Sequence, residues 1–158
     1  KYILDIKKKY YSKEAALQKL QSYCAYQERC HQEVTTKLRE LGYWGDAADS
    51  IIAKLIEDNF LNEERFAVAY ARGKFRIKQW GKVRIRQELK MRHIPDYSIK
   101  KALQAIDTEG GYMETLQKII DSKSKDYEGD IQKKQKIAAY ALRRGFESEL
   151  VWAALENI

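Results

Sequence analysis

One proline and eight glycines in 158 residues are too little punctuation for an all-β fold, which needs a turn every ten residues or so. A sandwich or barrel is thereby disfavoured. Cysteine is equally scarce: Cys24 and Cys30 stand six apart with no second pair, so no disulfide framework is expected. His31 follows Cys30 directly, and without a CxxC knuckle or a second ligand pair no zinc or other metal site is expected either. No apolar run approaches the ~18 residues of a membrane span, and the opening KYILDIKKKYYSK lacks the apolar core of a secretion signal. The chain therefore reads as a cytoplasmic protein without a membrane partner. It starts at Lys1 rather than Met, which leaves room for residues upstream.

Catalytic chemistry finds little footing. Gly81-Lys82 has neither the upstream glycine nor the following Ser/Thr of a phosphate-binding loop. Cys30 and His31 are the only nucleophile–base pair, and neighbours on a helix point about 100° apart. Glu63 and Glu64 read as helix-start charges rather than paired catalytic carboxylates. No catalytic residue and no cofactor are expected.

What is present is apolar material, 44% of residues, against 34% charged, and its period is helical almost throughout. Val34, Leu38 and Leu41 recur at i, i+4, i+7; Ile52, Leu55 and Ile56 at i, i+3, i+4. Phe66, Ala69, Tyr70, Gly73, Ile77 and Trp80 form one candidate core stripe over four turns. Asn62, ahead of Glu63 and Glu64, has the position of an N-cap, and Asp130 can cap a helix carrying Ile131. Cys30 and Glu33 occupy capping-box spacing, with a thiol where serine is usual. The expected fold class is all-α.

Internal repetition organises the chain further. LRELGYWGDAADSIIAKL, LKMRHIPDYSIKKALQAI and LRRGFESELVWAAL each close a helix on Tyr43, Ile94 or Phe146 and open a short apolar helix after a polar turn. A further helix precedes each pair, so the unit is three helices of roughly fifty residues. The expectation is a tandem array of three three-helix repeats, 12–61, 62–107 and 108–158, after a basic-aromatic stretch at 1–11. Stacking should make it an elongated, curved monomer. Linkers are sought at Asp107 to Gly111 and Lys123 to Gly129, where glycine and charge cluster.

The net charge of +7 is unevenly spread: residues 72 to 101 hold eleven bases and two acids, a net +9. Such concentration is the footprint of a surface that meets phosphates or an acidic partner. The candidate binding residues are Arg72, Lys74, Arg76, Lys78, Lys82, Arg84, Arg86, Lys90 and Arg92, with Trp80 as an aromatic that stacks on bases. Lys82, Arg86 and Lys90 share one helix face, away from the apolar Ile85 and Leu89. Arg72 and Arg76 form a second basic pair without an acid at helical spacing. Arg65, by contrast, reads as an ion pair or cap contact between repeats, and Trp44 and Trp152 at helix junctions as packing residues. Tyr10 and Tyr11 with Lys7, Lys8 and Lys9 are a further basic-aromatic cluster.

The run from Asp58 to Ile94 resembles the RecX family of RecA regulators. Phe60, Leu61, Asn62, Glu63, Glu64, Arg65, Phe66 and Ala67 follow the first part of that family's pattern. Gly81, Ile85, Glu88, Leu89 and Ile94 follow its Gly-x-x-x-Ile-x-x-Glu-Leu and closing Gly-Ile. Three positions depart: Asn59 and His93 stand where the family has glycine, and Asn62 where it has aspartate. With the flanking LRELGY and LRRGF, the resemblance extends over about residues 15 to 158. It implies a non-enzymatic regulator that binds the RecA filament on single-stranded DNA. There it would suppress strand exchange, ATP hydrolysis and coprotease activity in DNA repair, recombination and the SOS response. A helical nucleic-acid-binding module that contacts DNA directly, without RecA, is the alternative.

Both readings centre the attraction on the middle repeat, because residues 28–69 carry a net −4 and residues 102–158 a net −2. On a RecA-coated strand, removing Lys82, Arg86 and Lys90 together should lower the salt slope by up to about two to three units, if all three touch phosphate. Removing Lys133, Lys134 and Lys136 should change it much less, their field being offset by Asp126, Glu128 and Asp130. Equal losses from the two triples would show the field to be spread along the chain.

Overall fold

The computed structural model describes residues 10–158, so Lys7, Lys8 and Lys9 of the basic-aromatic cluster lie outside the described residues. Among these residues the regular structure is helical: α1 Lys13–Tyr26, α2 His31–Glu40, α3 Gly45–Glu57, α4 Glu63–Lys78, α5 Lys82–Met91, α6 Asp96–Glu109, α7 Tyr112–Asp126, α8 Lys133–Arg143 and α9 Ser148–Leu155. The all-α expectation holds. One compact unit ends at Phe66 and a second begins at Ala67.

In the first unit Ala16, Leu20 and Cys24 of α1 meet Val34 and Leu38 of α2 and Ala48, Ile51 and Leu55 of α3 in one apolar core. Ile51, rather than the exposed Ile56, faces that core. Ser12 caps α1, its Oγ accepting from Ala15 N–H at 3.1 Å. Asn62 caps α4 as its position suggested, Oδ1 accepting from Arg65 N–H at 2.9 Å. Cys30 precedes α2 without a side-chain cap bond. Its thiol donates to Glu33 Oε1 at 3.4 Å, and the His31 N–H donates to Glu63 Oε2 at 3.4 Å.

Arg65 is both of the things its setting suggested. Its Nε meets Glu28 Oε1 at 2.5 Å, and its Nη2 donates to the carbonyls of Asn59 and Phe60 at 3.0 and 3.3 Å, closing the turn after α3.

Burial corrects three readings. On α4 the buried residues are Phe66, Ala67, Ala71 and Phe75, while Ala69 is exposed and Ile77 is 79% exposed. This helix carries apolar residues on more than one side, and its neighbours select the Ala67/Ala71/Phe75 face. Trp44 (63% exposed) and Trp152 (44%) are not packing residues either. Trp44 is the residue before α3 and Trp152 lies midway along α9, and Ala48 and Ile51 in the one helix and Val151 and Leu155 in the other fill the core instead. Ile131 is fully exposed in the turn before α8. Asp130 Oδ1 accepts from Gln132 N–H at 2.8 Å, so it caps the turn that leads into α8, three residues before Lys133, rather than the helix itself.

The three similar junctions share one geometry. Tyr43, Ile94 and Phe146 donate their N–H groups to the carbonyls of Leu38, Leu89 and Ala141 at 2.9, 3.1 and 3.2 Å. The residues before them, Gly42, His93 and Gly145, have φ of +89°, +58° and +95°. This is the Schellman ending, in which a left-handed residue lets the chain bond back across the last turn. Asn59 at φ +63° ends α3 likewise, with Phe60 N–H on Leu55 O at 2.8 Å. His93 and Asn59 thus keep the geometry that glycine would adopt without a Cβ penalty.

Because His93 is exposed and left-handed, His93→Gly should stabilise the protein by about 1 kcal/mol. That corresponds to a rise of about 2 to 4 °C in melting temperature. Gly145→Ala should do the reverse by roughly 3 to 5 kcal/mol, since a Cβ there would lie 2.2 Å from Arg84 Cβ. Thermal melts of the two variants check both signs.

Candidate functional site

The basic stretch maps onto α4, α5 and α6, and the placement of α5 decides what its side chains can reach. Its N-terminus abuts the turn between α8 and α9. Gly81 N–H donates to Arg144 O at 2.8 Å and Val83 N–H to Gly145 O at 2.9 Å. A Cβ on Gly81 would come within 2.3 Å of the Gly145 carbonyl group, so no larger residue fits there without displacing backbone. Between these two bonds, Lys82 N–H donates to Tyr112 Oη at 3.0 Å. The positive end of α5 is therefore occupied by protein and is not itself an anion site.

Tyr112 is the side chain that closes this joint. Its ring packs against Phe75 and Phe146 at centroid distances of 5.6 and 5.2 Å. Its hydroxyl donates to Glu147 Oε1 at 2.5 Å. Burial, then the Glu147 bond, pushes its ionisation well above the ordinary tyrosine value.

From this fixed start α5 presents two rows one helical turn apart. Lys82, Arg86 and Lys90 face α6, where with Asp96, Ile99, Lys100, Leu103, Gln104 and Asp107 they line a groove of about 540 Å³. Arg86 and Lys90 are exposed, and Ile85 and Leu89 are buried on the opposite side. Lys82 is held by Asp107 across the groove and lies 4.5 Å from the Tyr112 ring centre. Lys100 belongs to this groove although the sequence reading left it out. The signal was available in its one-turn spacing from Asp96 and Gln104 on the same lining.

The second row, Arg84, Glu88 and Arg92, faces α4. There cations and rings alternate: Arg92 lies 4.8 Å from the Tyr70 centroid, Lys74 5.4 Å from Tyr70 and 5.0 Å from Trp80, and Arg84 4.0 Å from Trp80. Arg92 also pairs with Glu88 at 3.1 Å. Trp80 is partly exposed but already in contact with two cations, so a base would stack on it in competition with Lys74 and Arg84.

The remaining expected residues fall apart from the groove. Arg72 and Arg76 are not the unmatched pair that helical spacing suggested. Both meet Glu109 Oε1, at 2.6 and 2.7 Å, because the last turn of α6 brings that acid alongside α4. Lys78 is exposed, and its carbonyl accepts from Arg144 Nη1 at 2.6 Å. Asp107 and Glu109 sit in a stretch read as linker, yet both are helical and together they answer Lys82, Arg72 and Arg76. Among the described residues Arg86, Lys90 and Lys100 of the groove make no ion pair, and neither do Lys74, Lys78, Arg84 and Lys101 outside it.

Other groups offer little chemistry. Burial raises the thiols of Cys24 and Cys30 above their ordinary range, the opposite of an activated nucleophile. Among the described residues no cluster of His, Cys, Asp or Glu could hold a metal, and no helix is long and apolar enough to cross a membrane. Lys136, in the comparison triple, is bound to Asp130 at 2.5 Å, and that contact lowers the carboxyl and raises the ammonium.

Residues 62–103 match the second three-helix domain of RecX and residues 111–155 the third; together the two matches cover more than half of the chain. The regulatory protein RecX of Bacillus cytotoxicus is 30% identical over 139 residues, which are 87% of this chain and 51% of that protein. Its counterpart in Bacillus mycoides is 28% identical over the same span. The chain thus spans about half the length of the curated relatives it matches. Among solved structures, RecX from Lactobacillus salivarius superposes with a TM-score of 0.80 at 24% identity, covering 92% of this chain and 95% of that one. A second crystal structure of regulatory protein RecX gives 0.75 at 20%, covering 91% and 73%. Both likenesses concern the fold.

The joint at Tyr112 makes a direct prediction. Tyr112→Phe leaves Lys82 N–H and the Glu147 carboxylate without their partner and should cost about 2 kcal/mol in urea melts. The wild type should also lose stability as pH rises past 10.0, where the unfolded tyrosine ionises and the folded one does not. The variant should lack that share of the alkaline loss.

Proposed function

This chain belongs to the RecX family, and from that premise we propose that it regulates RecA by binding the RecA filament on single-stranded DNA. In this reading it holds down strand exchange, ATP hydrolysis and coprotease activity, in the cytoplasm, during DNA repair, recombination and the SOS response. It works as a monomer and does no chemistry of its own. The repeats 12–61, 62–107 and 108–158 are its working units, and the middle one supplies the main contact.

The observation that carries this reading is the groove between α5 and α6, where Arg86, Lys90 and Lys100 converge with their charge unanswered. A mainly basic surface with acids only at its ends, Asp96 and Asp107, favours an acidic partner and raises its rate of encounter. The alternating cations and rings of Arg92, Tyr70, Lys74, Trp80 and Arg84 favour a second reading, a single-strand binding module that needs no RecA.

The two part in a single assay. With RecA on a homopolymeric dT strand, the protein should suppress ATP hydrolysis at fewer than one copy per RecA protomer. Without RecA it should bind the same strand weakly, and more weakly as salt rises. Suppression that sets in only when the protein is abundant enough to coat the strand would instead support the module reading.

A further inference from the structure

We infer that the α5–α6 groove recognises a short acidic amphipathic segment of protein, presented as a helix, rather than a nucleic-acid backbone. This deepens the reading above, on which it rests, by naming what the groove holds.

The charge sequence along the groove is the first argument. Lys82 meets Asp107, so the start of α5 lies against the end of α6, and the turn from Arg92 to Pro95 closes the other end. Along this hairpin the groove reads as a neutralised Lys82/Asp107 pair, then Arg86, Lys90 and Lys100, then Asp96. A phosphate backbone carries one negative charge at every step and would have to run past Asp96 and Asp107 at either end. A peptide sets its charge residue by residue and needs carboxylates only opposite the three bases. Arg86 and Lys90 are about 6 Å apart along α5, the same rise that separates Glu side chains at i and i+4 of an opposing helix.

The lining is the second argument. Ile99 and Leu103 form the floor of the groove but are almost wholly buried (3% and 6% exposed), so its apolar strip is chiefly the aliphatic stems of Arg86, Lys90 and Lys100, and Gln104 supplies a donor and an acceptor. No aromatic ring lines it, so a base would find nothing to stack on, whereas an apolar side chain flanking a carboxylate row would find an apolar strip. The rings that suit bases lie instead on the other row of α5, against α4.

The test uses the full chain and three probes: a fluorescent helical peptide of about sixteen residues with Glu at i, i+4 spacing and leucines flanking that row, the same peptide with serine for leucine, and a dT strand. The double variant Arg86→Glu/Lys90→Glu should weaken the leucine peptide about tenfold or more, and Lys100→Glu, from the facing helix, should weaken it in the same direction. The serine peptide should bind several-fold more weakly than the leucine peptide. Affinity for the dT strand should fall far less than affinity for the leucine peptide, by no more than the change in net charge imposes on any face. Loss of dT binding as large as the loss of peptide binding would overturn the inference in favour of a phosphate site. Equal affinity for the two peptides would overturn it as well, by showing the apolar strip to be unused. Either result leaves the proposed regulation standing if the wild type still suppresses RecA ATP hydrolysis; failure of that suppression would count against the regulatory reading instead.

Discussion

The close approach of Gly81 to Gly145 sets the geometry on which the candidate site depends. Two backbones can lie this near only where neither carries a Cβ, and the contact converts that closeness into hydrogen bonds from Gly81 and Val83 to the carbonyls of the α8–α9 turn. The N-terminus of one helix thus meets the carbonyl end of another, which satisfies orphan groups on both and aligns their dipoles favourably. Tyr112 fills the remaining gap, accepting from Lys82 N–H and donating to Glu147. With its first turn fastened in this way, α5 has no freedom to rotate. Which residues face α6 and which face α4 follows from the helical period alone.

That division gives one short helix two different surfaces. Lys82, Arg86 and Lys90 look into a groove lined by aliphatic stems, and Arg92 and Arg84 pack on Tyr70 of α4 and Trp80 of the turn after it. The acids are as informative as the bases. Arg72 and Arg76 share Glu109 and Lys82 meets Asp107, so these two acids lower the formal +9 of the stretch by two units and leave Arg86, Lys90 and Lys100 of the groove without an ion pair. Partly exposed ion pairs of this kind add little stability. Their larger effect here is to tie down Arg72, Arg76 and Lys82, while the side chains of Arg86, Lys90 and Lys100 stay unpaired along the groove.

The helical class, the junctions at Tyr43, Ile94 and Phe146 and the Asn62 cap were legible in the sequence because each rests on local spacing or on one turn of backbone. The shared face of Lys82, Arg86 and Lys90 was legible for the same reason. The buried side of α4 was not: apolar residues lie on several of its faces, and only the packing of the unit selects Ala67, Ala71 and Phe75 over Ala69 and Ile77. Trp44 and Trp152 were misjudged because a large aromatic at a junction is read as filling, whereas Ala48 and Ile51 near the one and Val151 and Leu155 beside the other already do so. Glu109 and Asp107 escaped notice because their partners are twenty-five or more positions away in the sequence, beyond any helical period. Lys100 was counted as charge but not placed, since its side of the groove is made by a second helix.

The central claim is that location in the groove, and not total positive charge, carries the effect on RecA. Two double variants that remove the same charge separate these causes: Arg86→Gln/Lys90→Gln in the groove, and Arg72→Gln/Arg76→Gln, whose native arginines share the Glu109 carboxylate outside it. Suppression of RecA-driven strand exchange, measured for both beside the wild type, should be lost in the groove variant and largely kept in the other. Equal loss in the two would contradict the account.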